Sequence, residues 1–192
     1  MPQKNKLLLF CGPSGSGKTT IVHHLLSTNP KLSFSVSATT RARRANETDG
    51  IDYHFISVDE FKKKIANDEF VEWEEVYNGG YYGTLKSEIK KIWDANHIPV
   101  FDVDVEGGLK IKSIYGEQLL AVFVKPPSLE HLRLRLKARN SETPESYQAR
   151  ITKAELELTY APRFDIVIVN DTLEQAQAEA RKLVENFTSA KK

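Results

Sequence analysis

Gly12-Pro13-Ser14-Gly15-Ser16-Gly17-Lys18-Thr19 fills every fixed position of the pattern Gly-x4-Gly-Lys-Ser/Thr. Glycines let a backbone curl until successive N–H groups point inward, and at a helix N-terminus such a curl is a concave anion site. Lys18 supplies a mobile positive charge for β- and γ-phosphates, the Thr19 hydroxyl is a ligand for Mg²⁺, and Thr20 continues the same turn. The loop implies a nucleoside triphosphate and no more, because ATPases, GTPases and kinases share it.

Arg41, Arg43 and Arg44 cluster after the run SVSATT in a chain otherwise balanced in charge. A guanidinium grips phosphate oxygens in a fork, so several together can hold a phosphorylated substrate against the repulsion of a second phosphorylated molecule. From spacing alone, a solvated basic loop or a nucleic-acid patch fits as well. Arg135 and Arg139 stand one helical turn apart, and Arg150 falls on the following helix. Arginines closing over a transferring phosphoryl group contribute about 10³–10⁵ in rate, although the same spacing suits ordinary surface arginines. Asp102 and Asp104 follow the apolar residues Pro99 to Phe101, and Asp102 is the candidate to orient water on the metal. His23, His24, His54, His97 and His131 show no zinc-ligand spacing with one another or with Cys11, which reads as a small core residue. Trp73, Trp93 and the tyrosines make no basic–aromatic stripe for single-stranded nucleic acid.

These groups need a frame. Continuous apolar runs at Leu7 to Cys11, Pro99 to Val103, Ala121 to Val124 and Ile166 to Val169 read as strands buried on both faces of a parallel sheet. Helices are predicted from Lys18 to about Leu26, from the capping box Ser57–Glu60, from about Thr84 to Ala95, and from about Thr172 to Phe187. The last carries Leu173, Ala176, Ala180, Leu183 and Phe187 on one face. Between Phe34 and Tyr82 the short pieces SFSVS, YHFIS and FVEWEEV, a polar loop and Asn78-Gly79-Gly80 indicate a small β-rich insertion. Leu129, Leu132 and Leu136, then Tyr147, Ile151, Ala154 and Leu158, predict two helices facing each other as a hairpin. The fold class is therefore α/β: a P-loop NTPase-type parallel sheet core flanked by helices, with a β-rich insertion and a helical lid.

With 192 residues and 40% hydrophobic content, the chain is about one domain with an excursion or two, large enough for a core without staples. Lys plus Arg number 27 against 26 Asp plus Glu, so a net charge of +1 gives no overall pull toward nucleic acid or a membrane. A single cysteine excludes an intramolecular disulfide framework and a CxxC site. No run approaches the roughly 18 apolar residues of a membrane span, and MPQKNK leads into a strand-sized run and not a signal-peptide core. A cytoplasmic protein is expected.

The combination GPSGSGKTT, SVSATTR with Arg44, DYHF, FVEW, YYGT, FDVDVEGG and IVND resembles guanylate kinases, from about Leu7 to Phe187. The resemblance implies transfer of the γ-phosphoryl group of ATP to GMP with Mg²⁺, and acceptance of dGMP. It implies a core (residues 1–33, 85–126 and 160–192), a GMP-binding domain (34–84) and a lid (127–159). By the same resemblance Ser37, Glu72, Thr84 and Asp104 line the guanine side, with Gly83 and Asp102 in the acceptor pocket. Guanine offers N1–H and its 2-amino group as adjacent donors that one carboxylate accepts together, whereas adenine has an acceptor at N1, so Glu72 is the specificity residue. Read alone, Glu72 is a solvent-facing strand carboxylate in the acidic run Glu72 to Glu75.

The family pattern sets Arg41, Arg44, Tyr53 and Tyr82 around the GMP phosphate, Arg135, Arg139 and Arg150 on the ATP phosphates and the transition state, and Asn170 and Asp171 beside adenine. Lys18, Arg44, Arg139 and Arg150 are the catalytic set. The plain reading of Asn170 and Asp171 is a helix cap, and both roles can hold at once. Ala42 replaces the usual proline, Asn46 stands where glycine is common, an extra residue precedes the tyrosine block, and Glu106-Gly107-Gly108 replaces the usual Gln-Gly. The competing readings are a guanylate-kinase-like scaffold module that binds phosphopeptides, a P-loop GTPase, and a kinase for another monophosphate. The expected partners are GMP and ATP, with no nucleic acid and no membrane, and the chain is read as a monomer or homodimer.

Overall fold

The computed structural model describes residues 6–76, 80–137 and 144–189. Its core is a five-stranded sheet in the order β2-β7-β1-β8-β9, made of Leu32–Phe34, Ile98–Asp102, Leu7–Cys11, Leu119–Lys125 and Ile166–Val169, with every pair parallel. Strand β1 (Leu7–Cys11) is central and wholly buried, and its side chains divide by the period of two. Leu8 and Phe10 join one core layer with Ile21, Val22 and Leu25 of α1 (Lys18–Thr28) and Ala176, Ala180 and Val184 of α7 (Leu173–Ser189). Leu7, Leu9 and Cys11 join the opposite layer with Ile89 of α3 (Lys86–Asp94) and Ile111 of α4 (Val105–Tyr115). Two-sided burial is why the sequence of β1 runs apolar without alternation.

A second sheet, β4-β3-β6-β5, stands on the core: His54–Phe55, Ala38–Thr39, Gly80–Leu85 and Phe70–Val76. Its β5–β6 hairpin is antiparallel and pairs Glu72 with Thr84. Helix α2 (Val58–Ala66) closes one face, with Phe61 stacked on Phe70 at 4.3 Å and on Tyr81 at 5.2 Å. The capping box is present in its first half, Ser57 Oγ accepting the Glu60 N–H. Helices α5 (Leu129–Lys137) and α6 (Pro144–Thr159) form the hairpin, sealed by Leu132, Leu136, Ile151, Ala154 and Tyr147.

Four expectations shift. SFSVS does not belong wholly to the insertion: Phe34 pairs with Val100, so β2 is an edge strand of the core, too short to announce itself by pattern. The helix predicted from Thr84 begins at Lys86, because β6 continues through Leu85 opposite Phe70. Helix α4 was not foreseen, since Gly107 and Gly108 in its first turn lower helix propensity; Gly108 is packed against Leu9 and Cys11, and a Cβ there would sit 3.3 Å from the Leu9 side chain. Leu158 packs on the core layer instead of the hairpin seam, and Leu173 is 36% exposed while Val184 takes the buried place on α7. Among the described residues, no helix is long and apolar enough to cross a membrane.

Candidate active site

The glycine loop leaves β1 and enters α1, as its motif requires. Gly12 (φ 141°) lies against the Val124 carbonyl and Gly17 (φ 90°) against the Asn170 amide, so a Cβ at either position would overlap its neighbour. Both also hold the positive φ that L side chains rarely adopt. Ser16 N–H closes the turn on the Pro13 carbonyl at 3.0 Å. Asn170 is buried, and its amide donates to the Ser16 carbonyl at 2.8 Å, pinning the loop to the end of β9. Helix α7 starts at Leu173, two residues after Asp171, and the Ala176 N–H donates to the Thr172 backbone carbonyl in its first turn.

Parallel pairing of β1 with β7 places Phe10 beside Asp102 and so brings the sheet's C-terminal carboxylate to the loop. Thr19 Oγ1 donates to Asp102 Oδ2 at 2.6 Å, and Lys18 Nζ lies 3.7 Å from Asp102 Oδ1. A hydroxyl and a carboxylate sharing one spot beside a lysine is an oxygen set suited to a hydrated Mg²⁺.

On the insertion, β5 turns Glu72 and Glu74 to one face and Trp73 and Glu75 to the exposed one. Glu72 is therefore not solvent-facing. Thr84 Oγ1, fully buried, donates to Glu72 Oε1 at 2.7 Å, and burial pushes the Glu72 carboxyl above its ordinary range against that bond. Gly83 sits under Phe70 and the Glu72 carbonyl, where a side chain would not fit. Asp104 caps α4, accepting the Gly107 N–H at 2.9 Å. A Cβ on Gly107 would meet Asp104 Oδ1 at 3.2 Å and Glu72 Oε2 at 3.3 Å, so the two carboxylates straddle that glycine. Ser37 lies just before β3 and accepts the His54 N–H on its carbonyl.

Arg41 is the most constrained of the loop arginines. Its Nε donates to Tyr82 Oη at 3.0 Å, its two terminal nitrogens grip Glu47 at 2.7 and 2.5 Å, and its guanidinium lies 5.0 Å from the Tyr53 ring centre. Arg43 donates to the Glu47 carbonyl, and the Arg44 backbone N–H donates to Glu47 Oε2, leaving the exposed Arg44 side chain directed by a fixed backbone. The Arg41 fork holds the Glu47 carboxyl down to about 2. Burial pushes the Tyr53 hydroxyl up, so it stays a neutral donor. Sequence reasoning did not single out Glu47. Its signal was an acid within RARRANE, a loop of like charges that needs a counter-charge to be ordered.

The lid touches the loop from both helices. Leu132 and Leu136 of α5 lie against Gly15, and Arg150 of α6 donates to Ser14 Oγ at 3.2 Å. Arg135 crosses to the Asn170 carbonyl at 2.9 Å and the Asp171 carbonyl at 3.5 Å. Arg139 lies outside the described residues. One end of the sheet thus gathers Lys18, Thr19, Asp102, Arg135 and Arg150, while the insertion holds an Arg–Tyr clamp and a half-buried carboxylate. The first set fits a polyphosphate; the second fits a phosphate joined to a ring that offers hydrogen-bond donors.

Comparison with known proteins agrees with this geometry. The guanylate kinase family model matches residues 4–187. A guanylate kinase of Bacteroides fragilis is 51% identical over 182 residues, 95% of this chain and 89% of that protein. One of Salinibacter ruber is 44% identical over 190 residues, 99% of this chain and 100% of its own length. The crystal structure of guanylate kinase from Anaplasma phagocytophilum superposes with a TM-score of 0.78 at 27% identity, covering 98% of this chain and 88% of that one. With the phosphate loop, the Arg41–Tyr82 clamp and the half-buried Glu72 carboxylate all in place across that whole span, this chain belongs to the guanylate kinase family.

Proposed function

We propose that the chain transfers the γ-phosphoryl group of ATP to GMP, giving ADP and GDP, and that dGMP is accepted at the same site. The observation that carries this is the Glu72–Thr84 pair: a half-buried carboxylate with one oxygen held at 2.7 Å and the other left for the adjacent donors of guanine. AMP would put an acceptor there and leave the charge unpaired. Arg41, Arg44, Tyr53 and Tyr82 hold the GMP phosphate, with Ser37, Gly83, Thr84, Asp102 and Asp104 completing the pocket. Lys18 and the loop backbone hold the β- and γ-phosphates, and Arg135, Arg139 and Arg150 close on them, with Asn170 and Asp171 beside the adenine. Thr19 would ligate Mg²⁺ and Asp102 would orient water on it, and the ion offsets phosphate charge when bound.

A GMP phosphate oxygen bonds to the γ-phosphorus as the β,γ-bridging P–O bond breaks, and the electron pair leaves on ADP. That nucleophile is already an anion, so no general base is required and these side chains contribute position and charge. The three-part division into core (1–33, 85–126, 160–192), GMP-binding domain (34–84) and lid (127–159) is part of this reading. So is a cytoplasmic monomer or homodimer without a nucleic-acid partner, supported by a net charge of +1 and a basic cluster tied to Glu47.

The test is ADP release with ATP and Mg²⁺, offering GMP, AMP, CMP and UMP separately, with Lys18→Ala as the blank. Turnover with GMP alone is expected. Turnover with AMP, or with none of the four, would overturn the reading.

A further inference from the structure

Helix α6 carries, one turn after Arg150, a lysine that faces a different part of the molecule. Lys153 Nζ lies 3.8 Å from Asp104 Oδ2 and 3.7 Å from Glu157 Oε1 on its own helix. Asp104 uses its other oxygen to cap α4 through Gly107, the glycine that Asp104 and Glu72 straddle. Lys153 is thus the lid's contribution to the carboxylate group under the acceptor base. That group is crowded: burial raises the Glu74 carboxyl, and the nearby negative charges of Asp104 and Glu106 raise it further, with Lys110 acting in the opposite direction. Arg150 and Lys153 share a helix face, being three residues apart, while Ile151 and Ala154 face the α5 seam. The same rigid helix therefore rests on the phosphate loop through Arg150–Ser14 and on the base pocket through Lys153–Asp104.

We propose that Lys153 is a positioning residue that links occupancy of the acceptor-base pocket to closure of the lid over the donor phosphates. The proposal rests on the reading of this pocket as the guanine site. Each Asp104 oxygen can accept more than one hydrogen bond, so a base donor and the lysine share that carboxylate without displacing each other. A base donor bound to Asp104 fixes the orientation of that carboxylate toward Lys153, so the helix that carries Arg150 is held in place to meet a nucleotide at the phosphate loop. The link must run both ways: nucleotide at the phosphate loop must tighten GMP by the factor by which GMP tightens that nucleotide.

The experiment is calorimetric titration of GMP into the full chain with and without Mg²⁺ and a non-hydrolysable ATP analogue, for wild type, Lys153→Ala and Lys153→Arg. A half-exposed ion pair is small, so the expected loss of cooperativity in Lys153→Ala is about two- to fivefold. Affinity for either ligand alone should be nearly unchanged, and Lys153→Arg should restore the wild-type factor. A merely structural role would lower the melting temperature and both separate affinities, and arginine would not selectively restore coupling. If wild type binds GMP but the two ligands bind independently, or if Lys153→Ala keeps the full factor, the proposal is overturned and the kinase reading stands. If wild type does not bind GMP at all, the kinase reading fails and takes this proposal with it.

Discussion

The Glu47 carboxylate fixes the Arg41 side chain and the Arg44 backbone at once, so the cost of removing it is larger than that of one surface carboxylate. Glu47→Ala frees the Arg41 fork and the Arg44 backbone turn, so KM for GMP should rise roughly tenfold or more while KM for ATP changes little. Steady-state kinetics with each substrate varied decides it, and an equal rise in both would remove Glu47 from the acceptor clamp. The same carboxyl has a pH signature. Its folded value is depressed from 4.5 to about 2, so its stabilising contribution is complete above pH 4.5 and disappears as pH falls toward 2. The gap in melting temperature between wild type and Glu47→Gln should shrink across that interval, and a constant gap would refute the assignment. Glu72→Gln replaces one acceptor oxygen with a donor, so GMP turnover should fall by about two orders of magnitude with ATP binding intact, as measured by nucleotide titration. Glu72 illustrates what sequence conveys at this scale. Its residue type and strand were legible, but its burial came from pairing with Thr84, twelve positions away, and no local pattern encodes that.

At the scale of elements, β1 was legible to the residue because two-sided burial writes an uninterrupted apolar run, and the phosphate loop because glycine is forced at its special torsions; β9 has the bounds its apolar run predicts, but as an edge strand it is buried only in part, with Val169 exposed, and not on both faces as expected. Strand β2 has only three residues and α4 has two glycines in its first turn, so the signals that usually mark an element were absent or reversed. The two helices of the lid were legible from their leucines, but the object they pack on was not. Leu132 and Leu136 do double duty, sealing α5 against α6 and covering Gly15. Leu132→Ala should weaken the lid by about 2–5 kcal/mol through lost burial and a cavity. Hydrogen exchange should then rise in α5 and α6 and not in β1 or α1, because the lid's cluster is distinct from the two core layers. Exchange rising uniformly across the chain would show that the lid is not a separate unit.

A molecule with a net charge of +1 conceals a marked internal separation of charge. Lys18 stands on the core, Arg41 and Arg44 on the insertion, and Arg135 and Arg150 on the lid. Cations on separate units repel when brought together, and the repulsion strengthens as water leaves. Phosphates lying between them reverse the sign. One nucleotide at the loop neutralises Lys18 and the lid arginines but leaves Arg41 and Arg44, which share the Glu47 carboxylate, with a net positive charge, and GMP alone does the converse. Full closure, which also excludes the water that would hydrolyse ATP, should therefore require both ligands. Small-angle scattering with Mg²⁺ is the test: GMP alone and a non-hydrolysable ATP analogue alone should each leave the radius of gyration near that of the free chain, and saturation with both should reduce it. A radius unchanged with both ligands bound would mean that the insertion and lid are already set, and that these arginines act without movement.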